Sequence, residues 1–180
     1  MPAHHTFRDG SCIYCPTPDP NTRTRTRPTR EETFFMLAQV FALRGSCDRA
    51  HVGCVIVRDS HVLSHGYNGT PSGMPHCNHE GDDRPCEDAV HAEANAIAYA
   101  ARVGVNLKDT TMYSTHGPCV RCAQLIIQAG ITRVSYITPY RLHAGVGLLL
   151  DAGIDAFQFD PPVEVFKIQP KSYGSGDFFP

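Results

Sequence analysis

No run of 18 consecutive apolar residues occurs in this 180-residue chain, which excludes a membrane-spanning helix. The opening segment, MPAHHTFRDGSC, lacks the apolar stretch of a secretory leader. An excess of one charge is also missing. Sixteen Lys and Arg stand against 18 Asp and Glu, for a net charge of −2, so the chain as a whole is not built to bind a polyanion. Charged residues make up 19% and apolar residues 42%, a balance that excludes wholesale disorder. No internal repeat is present. What remains is one domain of ordinary length, able to bury roughly 70% of its unfolded surface. A cytoplasmic, reducing location with no membrane partner is the expectation. There, eight Cys and ten His point to metal sites rather than disulfides.

Three regions differ in texture. Residues 1–28 carry five prolines and the alternating run Thr22-Arg-Thr-Arg-Thr-Arg27, with neither a helical nor a strand period, and read as an extended arm. Residues 29–159 alternate apolar runs with turn signals and form the domain. Residues 160–180, with Pro161-Pro162, Pro170 and Gly174-Ser-Gly176, read as a loose tail. Within the domain, Thr29-x-x-Glu32 is a capping box opening a helix whose face holds Phe34, Leu37, Ala38 and Phe41. Val52–Arg58 and His61–Gly66 form a hairpin turned at Asp59-Ser60. Residues 67–86, rich in Gly and Pro, form a long loop of the kind that carries function. Helices follow over His91–Val103, Cys119–Ala129 and Leu142–Leu150, and strands over Thr111–Ser114, Thr132–Ile137 and Asp155–Phe159. The order α-β-β-α-β-α-β-α-β predicts an α/β fold with a mixed five-stranded sheet and helices on both faces.

The chemistry is concentrated in His91-Ala92-Glu93 and Pro118-Cys119-Val120-Arg121-Cys122. His-x-Glu joined to Pro-Cys-x-x-Cys is the pattern of zinc deaminases that act on nucleobases. A catalytic zinc takes three protein ligands and keeps one position open. His91, Cys119 and Cys122 supply three. Cys119 and Cys122, three residues apart at a helix start, turn both sulfurs to one point, and the helix N-terminus favours the thiolate. Pro118 suits that start, where an amide hydrogen has no partner. Glu93 is left as the proton carrier, taking a proton from water and handing protons to the base and the departing ammonia. Either half alone would say little: a lone Cys-x-x-Cys is as often redox or structural zinc.

The same residues resemble the deoxycytidylate (dCMP) deaminases of the cytidine deaminase superfamily. The likeness runs over residues 27–159 and rests on Cys47-Asp-Arg-Ala-His-Val-Gly53, on Gly66-Tyr-Asn-Gly-Thr-Pro-Ser-Gly73 with His76-Cys77, on Val90–Ile97, on Thr115–Ala123, and on Ala129-Gly-Ile131, Tyr136 and Tyr140-Arg141. The resemblance implies a three-layer α-β-α, cytidine-deaminase-like fold and conversion of dCMP to dUMP, feeding thymidylate synthesis. It implies a homo-oligomer, commonly a hexamer, regulated by dCTP and dTTP bound with Mg²⁺. By the same likeness Arg49 meets the substrate phosphate, Asn68 and Tyr140 line the substrate site, and Asn68, Gly69, Pro71 and Gly73 face the regulatory nucleotide. Glycines let backbone amides approach phosphates, and Arg offers a bidentate fork. Two departures stand out. Arg49-Ala50-His51 replaces the Arg-Arg-Gln of many microbial members, and Gly117 stands where a bulky residue is frequent. A small residue there suggests a wider pocket, admitting 5-substituted dCMP.

In some members cysteines similar to Cys47 and Cys77 help to hold a second, structural zinc. Here Cys86, His76 and His79 lie near Cys77, so Cys47, Cys77, Cys86 and His79 form the expected closed site, with free buried thiols as the alternative. Cys54 reads as core, and His61 and His65 as ordinary sheet residues. Cys12-Ile-Tyr-Cys15 with His4 or His5 has the ligand types of a small zinc knuckle, a weak signal. Two other functions compete with a dCMP deaminase. One is a deaminase of free cytidine, deoxycytidine or tRNA bases. The other is a nucleic-acid-binding zinc protein that uses the arginine-bearing arm. Glu93 argues against the latter and the net charge against a tRNA enzyme, so a nucleic-acid partner is not expected.

Overall fold

The computed structural model describes residues 28–79, 86–141 and 143–160, with the backbone of 7–8 and 11–12. In the arm, β1 (Phe7–Arg8) pairs antiparallel with β2 (Ser11–Cys12). Two residues per strand are too few for a periodic signal, so this hairpin has no counterpart in the sequence reading. Cys12 lies on β2, its side chain outside the description, and Cys15 and the tail lie outside the described residues.

The domain begins with α1 (Arg30–Ala42). Its capping box is complete: the Glu32 amide donates to Thr29 Oγ1 at 3.2 Å, and the Thr29 amide to Glu32 Oε2 at 2.6 Å. The buried face is Phe34, Phe35, Ala38 and Ala42, a correction to the expected face in that Phe35 and Ala42 take the buried places expected of Leu37 and Phe41. The reason lies in β3 (Gly53–Arg58). A Cβ at Gly53 would overlap the Ala38 carbonyl and lie 2.5 Å from the Ala42 amide. The helix therefore touches the strand backbone to backbone, small residues take the contact line, and Leu37 and Phe41 pack on the flank.

β3 turns into β4 (His61–Tyr67) through Asp59 and Ser60, both at positive φ (49° and 69°), the twist that suits a two-residue hairpin. The sheet continues with β5 (Thr111–His116), β6 (Arg133–Thr138) and β7 (Asp155–Gln158), in the order β4-β3-β5-β6-β7. β3 is antiparallel to both its neighbours, and β5, β6 and β7 are parallel. Alternation along β3 divides the core. Val55 and Val57 join Phe34, Phe35 and Tyr113 under α1. Cys54 and Ile56 join the opposite cluster, built from α2 (Ala92–Arg102), α3 (Val120–Gln128) and α4 (Ala144–Asp151). Three layers result, with α1 alone on one face of a mixed five-stranded sheet. No helix among the described residues is long and apolar enough to cross a membrane, and all six described cysteines outside the arm are free thiols.

Candidate active site

Two helix N-termini meet on the three-helix face. His91 is the N-cap of α2, with extended backbone (φ −67°, ψ 154°), and Cys119 is the N-cap of α3 (φ −74°, ψ 170°). An extended cap turns its side chain back across the helix mouth. The Cys119 sulfur accepts the Cys122 amide at 3.5 Å, the capping task usually given to an oxygen. His91 Nδ1 stands 3.5 Å from the Cys119 sulfur and 3.4 Å from that of Cys122. Zinc–nitrogen bonds of about 2.0 Å and zinc–sulfur bonds of about 2.3 Å at a tetrahedral angle require a nitrogen–sulfur separation of about 3.5 Å. The residues present therefore fit zinc, and with three ligand atoms they leave a fourth position open.

Electrostatics follow from that crowding. The thiol of Cys122 donates toward Cys119, and this bond and His91 hold the Cys119 thiol down at about 3. Cys122, next to that thiolate and buried, is pushed far up. The Cys119 sulfur raises the His91 imidazole against the pull of burial. Glu93, in the first turn of α2 and 3% exposed, is raised by burial. Its Oε2 lies 3.6 Å from the Cys122 sulfur. A carboxylate held there can take and return a proton next to the open position.

The loop after β4 is stitched to this site. Asn68 is buried: its Oδ1 accepts the Val52 amide at 2.8 Å and its Nδ2 donates to the Ala50 carbonyl at 2.6 Å. One N–H and one lone pair of that amide remain. Gly69 and Val90 exchange both backbone hydrogen bonds, at 3.1 and 2.9 Å, one residue before His91. The amide of Gly69 is thus engaged within the fold. Pro71 and Gly73 stand apart on an exposed turn, where Pro71 O accepts the Met74 amide at 3.1 Å and Gly73 has φ +87°. Arg49 is exposed and Tyr140 half-buried. Gly117 leaves no free space: a Cβ there would lie 3.2 Å from the Tyr140 amide and 3.4 Å from the Tyr136 ring.

A second cluster lies in the long loop and the segment after α1. Cys47, Cys77, His79 and Cys86 bring one ligand atom each within 4.8 Å of one another, while His76 is exposed and outside the group. Burial and the neighbouring Cys47 and Cys86 thiols push the Cys77 thiol up to about 12. His79 Nε2 is buried with no hydrogen-bond partner among the described residues. Asp48 holds this histidine from the side, accepting its backbone amide at 3.1 Å. Asp48 Oδ1 is 3.8 Å from His79 Nε2, and a donor set of one imidazole and three sulfurs fits a metal of zinc type.

The model of the cytidine and deoxycytidylate deaminase zinc-binding region matches residues 28–138. The chain belongs to this family. It is 42% identical over 114 residues to ComE operon protein 2 of Bacillus subtilis, covering 61% of this chain and 60% of that protein. It is 39% identical over 144 residues to deoxycytidylate deaminase of Saccharomyces cerevisiae, covering 74% and 46%. The chain thus spans about half the length of the curated relatives it matches. Among solved structures, the dCMP deaminase of cyanophage S-TIM5 in complex with dCMP and dUMP superposes with a TM-score of 0.70 at 31% identity, covering 74% of this chain and 98% of that one. The family's zinc-binding region includes every residue of both clusters.

Sequence reasoning missed the struts of the site. Asn95 Nδ2 donates to the Tyr67 carbonyl at 2.8 Å, tying the first turn of α2 to the end of β4. Its signal was a lone amide in an alanine run. Thr115 Oγ1 accepts the Gly53 amide at 3.2 Å and meets His116 Nδ1 at 3.0 Å, bracing the approach to Pro118.

Proposed function

We propose that this chain hydrolyses dCMP to dUMP and ammonia with zinc held by His91, Cys119 and Cys122. The observation that carries the reading is the placement of a buried carboxylate, Glu93, beside a three-ligand cluster at two converging helix starts. The likeness to dCMP deaminases supplies the substrate class. Zinc bound there supplies Lewis acidity that makes water acidic near neutral pH. Glu93 takes a proton from the attacking water and passes protons to ring nitrogen N3 and then to the leaving amine. The C4–oxygen bond forms, the C4–nitrogen bond breaks, and one water is consumed for each ammonia released. Arg49 meets the phosphate, Asn68 presents its remaining amide valences to the nucleotide, and Tyr140 walls the pocket.

The working unit is residues 29–159, between the arm (1–28) and the tail (160–180). A second, structural zinc held by Cys47, Cys77, His79 and Cys86 pins the long loop to the segment after α1, a closed four-ligand site in contrast to the open catalytic one. Following the family resemblance, dCTP or dTTP with Mg²⁺ acts at the exposed Pro71–Gly73 turn of a homo-oligomer, a hexamer, in the cytoplasm, where the dUMP serves thymidylate synthesis.

Ammonia and product formation from dCMP, CMP, 5-methyl-dCMP and deoxycytidine, each with and without dCTP, tests the reading. The expected result is turnover of dCMP well above deoxycytidine. Equal turnover of the two removes the nucleotide assignment and leaves a nucleoside deaminase.

A further inference from the structure

α4 contains two glycines, Gly145 and Gly147, with opposite surroundings. A Cβ at Gly147 would meet nothing within 4 Å. One at Gly145 would overlap the carbonyl oxygen of Pro118 and lie 2.7 Å from the carbonyl carbon and 2.9 Å from the oxygen of Cys119. Helix and ligand-bearing turn therefore touch backbone to backbone at this one point.

The contact is clamped from every side. The Cys119 carbonyl accepts the Ala123 amide at 2.9 Å in the first turn of α3, and the Gly117 amide donates to the Thr138 carbonyl at 2.8 Å. Pro118 is fully buried. On the helix side, Leu149, one turn beyond Gly145, is 0% exposed and packed in the core with Ala123 and Ile126. α4 cannot retreat without withdrawing that leucine. With Leu149 holding the helix, part of any displacement falls on the turn, and the Cys119 ligand sits on the turn.

We propose that Gly145 is a positioning residue for the metal centre: the first turn of α4 is the backstop that sets where the Cys119 sulfur stands. The inference rests on reading His91, Cys119 and Cys122 as the zinc centre. Gly145 acts through Cys119. Relieving the contact with the Cys119 carbonyl carbon from 2.7 Å to the 3.4 Å of ordinary packing requires a displacement of about 0.7 Å, and the nearer Pro118 oxygen requires more. Metal–ligand distances tolerate only about 0.2 Å. A single methyl group is thus enough to spoil the ligand geometry.

The test compares full-length wild type, Gly145→Ala and Gly147→Ala. Reactivation of the zinc-free protein against buffered free zinc, compared between variants that all keep Cys47, Cys77, His79 and Cys86, reports the difference in affinity at this centre. Gly145→Ala is expected to need about 10–100-fold more zinc for half-reactivation, the scale on which groups that orient metal ligands act, with KM for dCMP unchanged at saturating zinc. Gly147→Ala is expected to match wild type, because its methyl group meets open space. A zinc requirement of Gly145→Ala equal to wild type overturns the proposal. A wild type whose activity is indifferent to zinc overturns the deaminase reading and the inference together. A second measurement needs no variant. Peptide-resolved hydrogen exchange of wild type should show zinc slowing exchange in residues 144–149 together with 118–123. Zinc protection confined to 118–123 sinks the backstop role, even where Gly145→Ala fails to fold.

Discussion

The Oε2 of Glu93 lies 3.6 Å from the sulfur of Cys122, yet Glu93 is not one of the three ligands that converge with it. The carboxylate flanks the cluster from inside the protein, with its side chain closed off from solvent. A group in that place can exchange a proton with a molecule at the open position without competing for the metal.

Glu93→Gln should therefore keep zinc and lose turnover. The amide has nearly the same shape but cannot carry the proton. Loss of a general acid–base group of this kind typically lowers kcat by about 10²–10⁴-fold. Zinc content by elemental analysis and steady-state kinetics check the two halves of this statement. A variant within about threefold of wild-type kcat would remove Glu93 from the reaction.

Two zinc ions per chain are expected in purified protein. The first cluster offers three ligands and the second four. Cys77→Ser should lower the count by one and leave the zinc at Cys119 and Cys122 in place. It should also lower thermal stability, because a structural zinc contributes folding free energy directly. A count of one zinc in wild type, unchanged by Cys77→Ser, would return Cys47, Cys77 and Cys86 to the status of free thiols.

The fold and the reacting centre were legible in the sequence because both depend on local signals. The Thr29–Glu32 capping box, the Asp59-Ser60 turn and the His91 and Cys119 helix starts are fixed by near neighbours in the chain. What was not legible depends on contacts across the chain. The face of α1 rotated because Gly53 lets a helix lie against a strand backbone, which the periodicity of α1 alone cannot report. Gly117 read as open space because a missing side chain carries no sign of what occupies its place, here Tyr136 and the Tyr140 backbone. The bonds of Asn68 and Gly69 to Val52 and Val90, at 16 and 21 residues' distance, carry no local signal either. The second cluster was legible only as a set of nearby Cys and His. The group that the structure brings together contains His79 and not His76.

Alkaline pH should destabilise the fold through Tyr113. This residue is 6% exposed and packed against Phe34 and Phe35, with ring centroids 5.2 and 5.3 Å away. Burial, helped by Glu31 and opposed by Arg133, raises its phenol above the ordinary 10.0. The folded state then holds its proton where the unfolded state releases it. The contribution is complete below about pH 10 and is lost as pH rises from there through the folded-state value. Denaturant unfolding of wild type and Tyr113→Phe between about pH 8 and pH 11 measures it. The variant should lose part of the alkaline slope, and identical slopes would show that Tyr113 does not ionise on unfolding.

The phosphate of the substrate gives the sharpest test of the nucleotide assignment. Arg49 is exposed, two residues beyond the buried Cys47 of the second cluster, and its neighbour is Ala50. If Arg49 meets the phosphate, no second Arg beside it in the sequence shares the task. A charge-assisted contact to phosphate contributes about 1.5–3 kcal/mol. Losing it should raise KM for dCMP by about 10–150-fold, since 1.4 kcal/mol is a factor of ten. The same substitution, Arg49→Ala, should leave KM for deoxycytidine nearly unchanged, because the nucleoside has no phosphate to lose. Added salt should weaken wild-type binding of dCMP and have little effect on the variant, since the exposed part of the attraction is screened. Steady-state kinetics on both substrates at low and high ionic strength measure all four quantities. Equal effects on nucleotide and nucleoside would make Arg49 a support for the Cys47 loop rather than a phosphate ligand. The neighbouring Cys47, Cys77, His79 and Cys86 cluster would then be the place to look for its partner.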